Sequence, residues 1–136
     1  MAVLPEEVKN LFQSAKTVEF GTSSLSGQPN INIIGMKFVI DDETLYISDQ
    51  FFLKTLKNLQ ENPQVSILVF NDEGAYQIYG TAEYVTDGPV FEQFAPQVNA
   101  IFEQMGRPIK TKGGCVVKVT AVYSSASGPQ AGAQIA

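Results

Sequence analysis

The chain has 136 residues, a formal net charge of -5 at pH 7, 44% hydrophobic and 17% charged residues, and no histidine. This length suits one domain with its own core, and the composition is that of a globular protein. The acidic charge argues against nucleic acid or an anionic membrane as the main partner. The lack of histidine excludes Ser–His–Asp catalysis, Cys–His catalysis and histidine metal sites, so redox or group-transfer chemistry would need a bound cofactor.

The single cysteine and the first residues of the chain bear on location. Cys115 has no partner for an intrachain disulfide, which is typical of a reducing compartment. The N-terminus carries no basic region before an apolar run, and no apolar stretch reaches membrane-spanning length. We therefore expect a cytoplasmic protein without a membrane segment.

In chain order, the pattern begins with a helix and continues as strands joined by short turns. Pro5 followed by two glutamates is typical of a helix start, because proline is tolerated there and acidic residues favour the positive end of the dipole. Strands are predicted over residues 18–23, 29–40 and 44–48, with Gly35 as a bulge or close approach in the long second strand. Helical spacing then runs from Leu53 to Gln60 and stops at Asn62-Pro63.

The second half of the chain is likewise predicted to contain strands and one helix. Strands are predicted over residues 65–70 and 75–86, and Asp87-Gly88-Pro89 begins a helix that we expect to break near Pro96. A last strand over residues 115–123 precedes a small-residue tail, 124–136. About six strands with short turns favour a single mainly β domain, 1–136, built as a closed antiparallel barrel with peripheral helices. One parallel crossover, around the helix after Phe51, is compatible with the pattern.

The junction between the third strand and the second helix is the best candidate for chemistry. The N–H groups at a helix start are free and lie at the positive end of the dipole, while Lys54 adds a charge and Thr55 a hydroxyl. Together they fit a phosphate dianion. The alternative is an amphipathic helix with Lys54 and Lys57 in solvent, and local spacing alone favours that alternative.

Other polar and small residues allow two interpretations each. Asn30 and Asn32 share one face of a strand, which indicates either a solvated face or amides aimed at a ligand, and the pattern slightly favours the solvated face. Gly80 is expected at a barrel corner. Cys115 is expected as a small buried thiol rather than a reactive one.

Several short motifs occur in an order that is similar to a known family. Leu45-Tyr46-Ile47-Ser48, Lys54-Thr55 and the stretch from Glu61 to Leu68 resemble a strand, a lysine-bearing helix and an Asn-Pro-x-Val-Ser stop. The motifs Ser26 to Asn32, Ile78 to Glu83 and Thr86 to Pro89 resemble flanking segments of the same arrangement. The chain thus resembles the pyridoxamine 5'-phosphate oxidase-like FMN-binding split barrels, in particular their small prokaryotic FMN-binding members.

The resemblance implies a six-stranded antiparallel Greek-key split β-barrel that forms a homodimer with FMN between the subunits. Carried over by position, Lys54 and Thr55 would bind the flavin phosphate. The segment Asn32, Ile33 and Ile34 would contact the flavin ring and ribityl chain, and Ser48, Asp49 and Gln50 would line the edge of the ring. The tail would cover the flavin of the partner subunit.

The implied function is that of an FMN-binding flavoprotein, either a small oxidoreductase or an electron-transfer protein with an unidentified redox partner. Oxidation of pyridoxamine phosphate is not expected, because the resemblance implies substrate-binding Arg and His residues and the chain has no histidine. The alternatives are a non-catalytic FMN carrier, an F420-dependent reductase and a barrel that serves only as a protein–protein module.

Overall fold

The computed structural model describes residues 1–136, in which three helices and seven strands follow one another along the chain. The helices are α1 (Glu6–Ser14), α2 (Lys54–Glu61) and α3 (Gly88–Gln104). The strands are β1 (Val18–Ser23), β2 (Pro29–Ile34), β3 (Lys37–Asp41), β4 (Thr44–Asp49), β5 (Gln64–Phe70), β6 (Ala75–Val85) and β7 (Gly113–Ser124).

The strands form one curled antiparallel sheet in the order β2-β1-β5-β6-β7-β4-β3. This confirms the mainly β, antiparallel split-barrel fold, with seven strands in place of six. The parallel crossover is absent, because α2 joins β4 to β5 and these two strands are not neighbours in the sheet. The sheet ends at β2 on one side and at β3 on the other, so the barrel is not closed by a strand pair there.

The predicted long strand over residues 29–40 is wrong in one respect, because it divides at Gly35–Met36 into β2 and β3. The reason is that its two halves have different neighbours: Ile34 in β2 pairs with Val18 of β1, and Lys37 in β3 pairs with Ile47 of β4. One continuous stretch of chain therefore supplies both edges of the sheet.

Gly80 lies at the register shift between β6 and β7, where the corner was expected. A Cβ at this position would lie 2.6 Å from Val117 Cγ1 and 2.7 Å from the carbonyl oxygen of Lys118. Real Cβ atoms do not approach other atoms so closely, so only glycine lets β6 and β7 pack together here.

The inner face of the curled sheet and one face of α1 form the main core. Its largest fully buried members include Phe12, Phe20, Leu45 and Ile67. Cys115 is buried in the same core, as predicted, and burial raises the pKa of its thiol well above the ordinary value. The thiol is therefore protonated and inert at neutral pH.

Helix α3 packs against β7 and, through Phe94, against Tyr46 of β4; it is continuous through Pro96, so the predicted break is wrong. Pro96 itself is exposed, whereas Phe94 and Val98 on either side of it are buried. The ring of Phe94 stacks on Phe38 at 4.5 Å and on Tyr46 at 5.0 Å between centroids. This packing on both sides of the proline holds the helix together despite the lost hydrogen bond.

Two glycines at the start of β7 make room for two tyrosines. A Cβ on Gly113 would lie 2.6 Å from Tyr84 Oη, and one on Gly114 would overlap Tyr46 Oη. Tyr46 is completely buried, and its hydroxyl has no hydrogen-bond partner. Burial, followed by the proximity of Cys115 and of a carboxylate at the end of β4, raises the pKa of Tyr46 to about 12.

The tail folds back along β7 of its own chain. The N–H of Ser124 donates to the carbonyl of Ala133 at 2.8 Å, and the N–H of Ile135 donates to the carbonyl of Val122 at 2.8 Å. Tyr123 forms an isolated bridge with Gln134. These contacts lie at the opposite end of β7 from Gly113, where that strand begins.

Candidate functional site

A cavity of about 270 Å³ lies in the seam of the barrel, which we define as the gap between β2 and β3 at Gly35–Met36. The end of β2, the end of β4, the loop after β4 and the last turn of α3 bound it. The seam exists because the two sheet edges are not hydrogen-bonded to each other. The N–H of Ser48 at the end of β4 donates to the carbonyl of Met36 at 3.0 Å, which extends the β3–β4 ladder to the edge of this gap.

The structure brings five of the eight sequence-predicted site residues to this cavity. They are Asn32, Ile33, Ile34, Ser48 and Gln50. The other three, Asp49, Lys54 and Thr55, do not line it, although Asp49 and Thr55 are hydrogen-bonded to the lining residues Phe52 and Asn32. The two predicted wall segments thus meet at one cavity, and the predicted phosphate site on α2 lies outside its lining.

A buried polar cluster joins α2 to β1 and β2. Thr55 is almost completely buried, and its hydroxyl donates to Oδ1 of Asn32. Asn30 Nδ2 donates to the same Oδ1 at 3.0 Å and to Thr55 Oγ1 at 3.0 Å. Thr22 Oγ1 accepts from Asn30 at 3.2 Å and from Asn58 at 3.0 Å. Asn30 and Asn32 therefore belong to a hydrogen-bonded network that joins β1, β2 and α2, and not to a purely solvated face.

A second chain of hydrogen bonds crosses the other wall of the cavity. Ser48 Oγ donates to Gln50 Oε1 at 2.6 Å and lies 2.9 Å from Thr111 Oγ1. The hydroxyl of Thr111 also lies 2.9 Å from the carbonyl oxygens of Asp49 and Gly113. Asn99 of α3 accepts the backbone N–H of Thr111 at 2.9 Å, so α3 fixes the segment that supports Ser48.

Asp49 is completely buried behind the cavity wall. Tyr84 donates its hydroxyl to Asp49 Oδ2 at 2.5 Å, and the N–H of Phe52 donates to Oδ1 at 2.8 Å. The half-exposed amine of Lys112 lies 3.9 Å from Oδ1. Burial and the bond to Asp49 raise the pKa of Tyr84 well above its ordinary value. In this conformation Asp49 shapes the loop that carries Phe52, and its carboxylate is not presented to the cavity.

Lys54 is the first residue of α2 and is exposed. It forms no ion pair with any carboxylate of the chain. The N–H groups of the first turn of a helix have no intrahelical acceptor, so they remain available beside the lysine. Free N–H groups and an unpaired cation at the positive end of a helix favour an anionic group. Thr55 can contribute its backbone N–H there, since its hydroxyl faces Asn32.

Six lining residues were not predicted from the sequence. They are Gly35, Met36, Phe51, Phe52, Phe102 and Arg107. The guanidinium of Arg107 lies 5.8 Å from the centroid of the Phe102 ring, within the range of a cation–π contact. Arg107 is the only residue of the lining that carries a charge. No local sequence signal identified it, because it follows α3 and reaches the cavity only through tertiary packing.

A larger open groove of about 680 Å³ lies on the outer face of the sheet. Gly21 and Ser66 form part of its floor, and Ile31 and Tyr79 lie along it. Ile31 and its neighbour Ile33 are each 72% exposed. The outer face of β2 thus carries apolar side chains in solvent next to the cavity, which is the usual property of an interaction surface.

No group of three or more His, Cys, Asp and Glu side chains comes together in a way that would hold a metal ion. None of the three helices has the length and apolarity needed to cross a bilayer.

Two curated proteins resemble the chain. An uncharacterized protein of Methanocaldococcus jannaschii is 37% identical over 134 residues, which cover 96% of this chain and 86% of that protein. The heme oxygenase HutZ of Vibrio cholerae is 33% identical over 70 residues, which cover 52% of this chain and 39% of HutZ. The second likeness therefore concerns only part of each protein.

Solved structures share the fold. HupZ of group A Streptococcus has a TM-score of 0.80 at 24% identity and covers 98% of this chain and 99% of its own. An FMN-binding protein from Syntrophomonas wolfei has a TM-score of 0.77 at 17% identity, with coverage of 90% and 86%. A structure described as an F420 reductase has a TM-score of 0.65 at 18% identity, with coverage of 88% and 98%. At these identities the likeness shows the fold alone.

The family follows from the sequence match over most of the barrel. Residues 4–126 match the family model described as pyridoxamine 5'-phosphate oxidase. This span includes all seven strands, all three helices and every residue that lines the seam cavity. This match confirms the resemblance noted in the motifs, and the chain belongs to the pyridoxamine 5'-phosphate oxidase family.

Proposed function

We propose that this protein is a flavoprotein that holds FMN in the seam cavity and uses it as a small oxidoreductase or electron-transfer protein. The observation that carries the proposal is the cavity itself, since five residues predicted for flavin contact line one site. Its walls combine phenylalanine rings, aliphatic side chains and a few polar groups, which is the usual lining for a flat cofactor.

The phosphate of FMN would be held at the start of α2. Lys54 would supply the charge, and the N–H groups of Lys54 and Thr55 would donate to phosphate oxygens. The chain has a net charge of -5, but Lys54 forms no ion pair with any carboxylate. Its positive charge is therefore available to an anionic ligand. Charge-assisted hydrogen bonds of this kind contribute about 1.5–3 kcal/mol each.

A second copy of the chain would complete the site. The cavity of about 270 Å³ is slightly smaller than the roughly 300–1,000 Å³ of ordinary ligand pockets. The apolar surface of Ile31 and Ile33 continues outward from it. A homodimer that buries this surface would enclose the flavin between subunits, in agreement with what the family resemblance implies.

The bound flavin would supply the redox chemistry by accepting and donating electrons. The cavity lining contains no carboxylate, lysine, tyrosine or cysteine, so the chain offers no acid or base at the site. The side chains of the cavity would then bind and orient the flavin and exclude water from it.

Oxidation of pyridoxamine phosphate is not part of the proposal, because the chain has no histidine for that substrate. A cytoplasmic location is part of it, since the only thiol is buried and unpaired.

Titration of the purified protein with FMN and with riboflavin tests the proposal. We expect flavin absorbance, saturable binding of FMN and a weaker affinity for riboflavin. Lys54→Ala should raise the Kd for FMN by about 10–100-fold, the equivalent of 1.5–3 kcal/mol, and change the Kd for riboflavin little. Lys57→Ala is the matched control, because Lys57 is an exposed lysine on the same helix. A protein that FMN cannot saturate would refute the proposal.

Further arms of the experiment separate the alternatives. Oxidation of NADH or NADPH with bound FMN would indicate an enzyme, whereas its absence would favour an FMN carrier. Tighter binding of F420 than of FMN would favour a deazaflavin-dependent reductase, and a protein that binds neither would favour a protein–protein module. Haem is a second candidate because HutZ is a partial relative, although Met36 is the only sulfur ligand in the cavity and the chain has no histidine.

A further inference from the structure

A second depression adjoins the seam cavity at Arg107. It has a volume of about 720 Å³ and is lined by Asn99 and Glu103 of α3 and by residues 106–110 of the loop that follows this helix. Arg107 lines this depression and the seam cavity alike, so the two cavities meet at its side chain. None of these residues belongs to the motifs on which the family resemblance rests.

The end of α3 fixes the backbone of Arg107. Gly106 has a φ of +72°, and its N–H donates to the carbonyl of Glu103 at 3.0 Å. The N–H of Arg107 donates to the carbonyl of Phe102 at 2.9 Å, and together these bonds form the Schellman ending of a helix. The guanidinium lies over the Phe102 ring and forms no ion pair with a carboxylate of the chain. Its planar edge is therefore available to an anion.

Two further donor groups line the same depression. Asn99 Oδ1 accepts the backbone N–H of Thr111 at 2.9 Å. Because a backbone N–H can only donate, this bond fixes the amide oxygen of Asn99 and leaves Nδ2 as the end available to a ligand. Lys110 is exposed and forms no ion pair.

The distribution of charge along the chain favours an anion at this place. The chain has a net charge of -5, yet no Asp or Glu follows Glu103, whereas Arg107, Lys110, Lys112 and Lys118 do. Glu103 also lines the depression, but it pairs with neither of the two cations there. Two cations and one carboxylate leave the depression with an excess of positive charge.

We propose that this depression binds the phosphate group of a phosphorylated co-substrate whose other end enters the seam cavity past Arg107. The planar guanidinium can donate to two phosphate oxygens at once, Lys110 adds a point charge, and Asn99 Nδ2 adds a neutral donor. The volume of about 720 Å³ lies within the roughly 300–1,000 Å³ of ordinary ligand pockets. The inference rests on the proposed function only for the role of the seam cavity, since the phosphate site consists of its own residues.

Titration of the flavin-free protein with inorganic pyrophosphate tests the site. All variants are made in a Lys54→Ala background, so that the start of α2 does not contribute. We expect Arg107→Gln to raise the Kd by about 5–10-fold and Lys110→Gln by about 2–5-fold. Lys118→Gln is the matched control, because Lys118 is an exposed lysine outside the depression, and it should leave the Kd within about twofold. Equal effects of Lys110→Gln and Lys118→Gln would overturn the inference, since overall charge would then determine binding.

Glu103→Gln should have the opposite sign. It removes the one carboxylate of the depression, so we expect the Kd for pyrophosphate to fall by about 2–5-fold. Glu92→Gln removes the same charge from an exposed position near the other end of α3 and should change this Kd by less than Glu103→Gln does. A Kd that Glu103→Gln leaves unchanged or raises would overturn the inference.

The same titration with NADP⁺ distinguishes a co-substrate from free phosphate. A molecule whose other end enters the seam cavity gains contacts that pyrophosphate lacks, so NADP⁺ should bind at least about 10-fold more tightly, and Arg107→Gln should weaken both ligands. Equal Kd values for NADP⁺ and pyrophosphate would overturn the proposed co-substrate, because the depression would then bind free phosphate only.

A comparison of the two flavins keeps the inference separate from the proposed function. Lys54→Ala should lower the ratio of the riboflavin Kd to the FMN Kd, whereas Lys110→Gln should leave this ratio unchanged. A lower ratio in Lys110→Gln would mean that the depression holds the phosphate of the flavin itself, and it would overturn the inference. Failure of the wild type to bind any flavin would refute the proposed function, whereas the pyrophosphate titrations would still decide the phosphate site.

Discussion

Tyr84 and Tyr46 form a natural pair for measuring what a buried hydroxyl contributes. Tyr84 donates to the fully buried carboxylate of Asp49 at 2.5 Å. Tyr84→Phe would remove this bond and leave Asp49 Oδ2 without a donor. A hydrogen bond to a charged group contributes about 1.5–3 kcal/mol, so we expect a loss of about 2 kcal/mol in the free energy of unfolding.

Tyr46→Phe should have the opposite sign. The hydroxyl of Tyr46 is buried without a partner, and an unpaired buried hydroxyl costs about 1–3 kcal/mol relative to water. Its removal leaves a small void beside Gly114, whose cost is at most about 1 kcal/mol. We therefore expect Tyr46→Phe to be neutral or to stabilise the protein by up to about 2 kcal/mol.

Urea unfolding followed by circular dichroism measures both variants against the wild type. The protein concentration is held constant, because stability depends on it if the chain dimerises. The expected separation of about 3 kcal/mol corresponds to roughly 10 °C in Tm. If the two substitutions destabilise the protein equally, the argument from hydrogen bonding is refuted. Altered packing of the aromatic rings, and not the loss or absence of a hydrogen bond, would then explain both changes in the free energy of unfolding.

Three further predictions concern backbone and pH. Pro96→Ala should raise the free energy of unfolding by about 1–3 kcal/mol, because it restores an N–H donor inside a continuous helix at an exposed position; thermal unfolding checks this. Gly80→Ala should cost about 1–3 kcal/mol, since its Cβ would lie 2.6 Å from a β7 side chain, whereas Gly35→Ala, with no atom closer than 4.0 Å, should change stability by less than about 1 kcal/mol. The pKa of Tyr46 rises from 10.0 to about 12 on folding, so the unfolded chain releases this proton first. Stability should therefore fall as the pH increases between about 10 and 12, and Tyr46→Phe should flatten this slope in urea titrations at each pH.

The helix limits were predictable because their signals are local. Pro5 with two glutamates, the Asn62-Pro63 stop and Asp87-Gly88-Pro89 all lie at helix ends in the structure. The break between β2 and β3 was not predictable, because residues that favour strands lie on both sides of Gly35, as in Ile33-Ile34 before it and Phe38 to Ile40 after it. The two halves of the predicted strand differ only in the strands with which they pair, β1 for β2 and β4 for β3. The local sequence pattern does not show which distant strand a segment pairs with.

The site was predictable in outline and not in detail. The motifs located both segments of the cavity wall, but Thr55 turns inward because it meets Asn32, which lies 23 positions earlier in the chain. Asp49 is likewise withdrawn by Tyr84, 35 positions later. Arg107 enters the lining from the end of α3, and no motif marks it. In each case a contact between residues that are far apart in the sequence determines where the side chain points. The local sequence pattern carries no information about such contacts.

Because the cavity lies at the seam, a ligand bound there would stabilise the open side of the barrel. β2 and β3 are the two free edges of a single sheet, and the Gly35–Met36 connection joins them. A molecule seated in the cavity would contact the edge strand β2 and the end of β4 at once, so it would link two parts of the sheet that do not pair with each other. A ligand present at 100 times its Kd adds about 2.7 kcal/mol to the folded state. Much of that gain should appear as slower hydrogen exchange at the amides of β2 and of the end of β4, so that the open side of the barrel is better protected when the site is full.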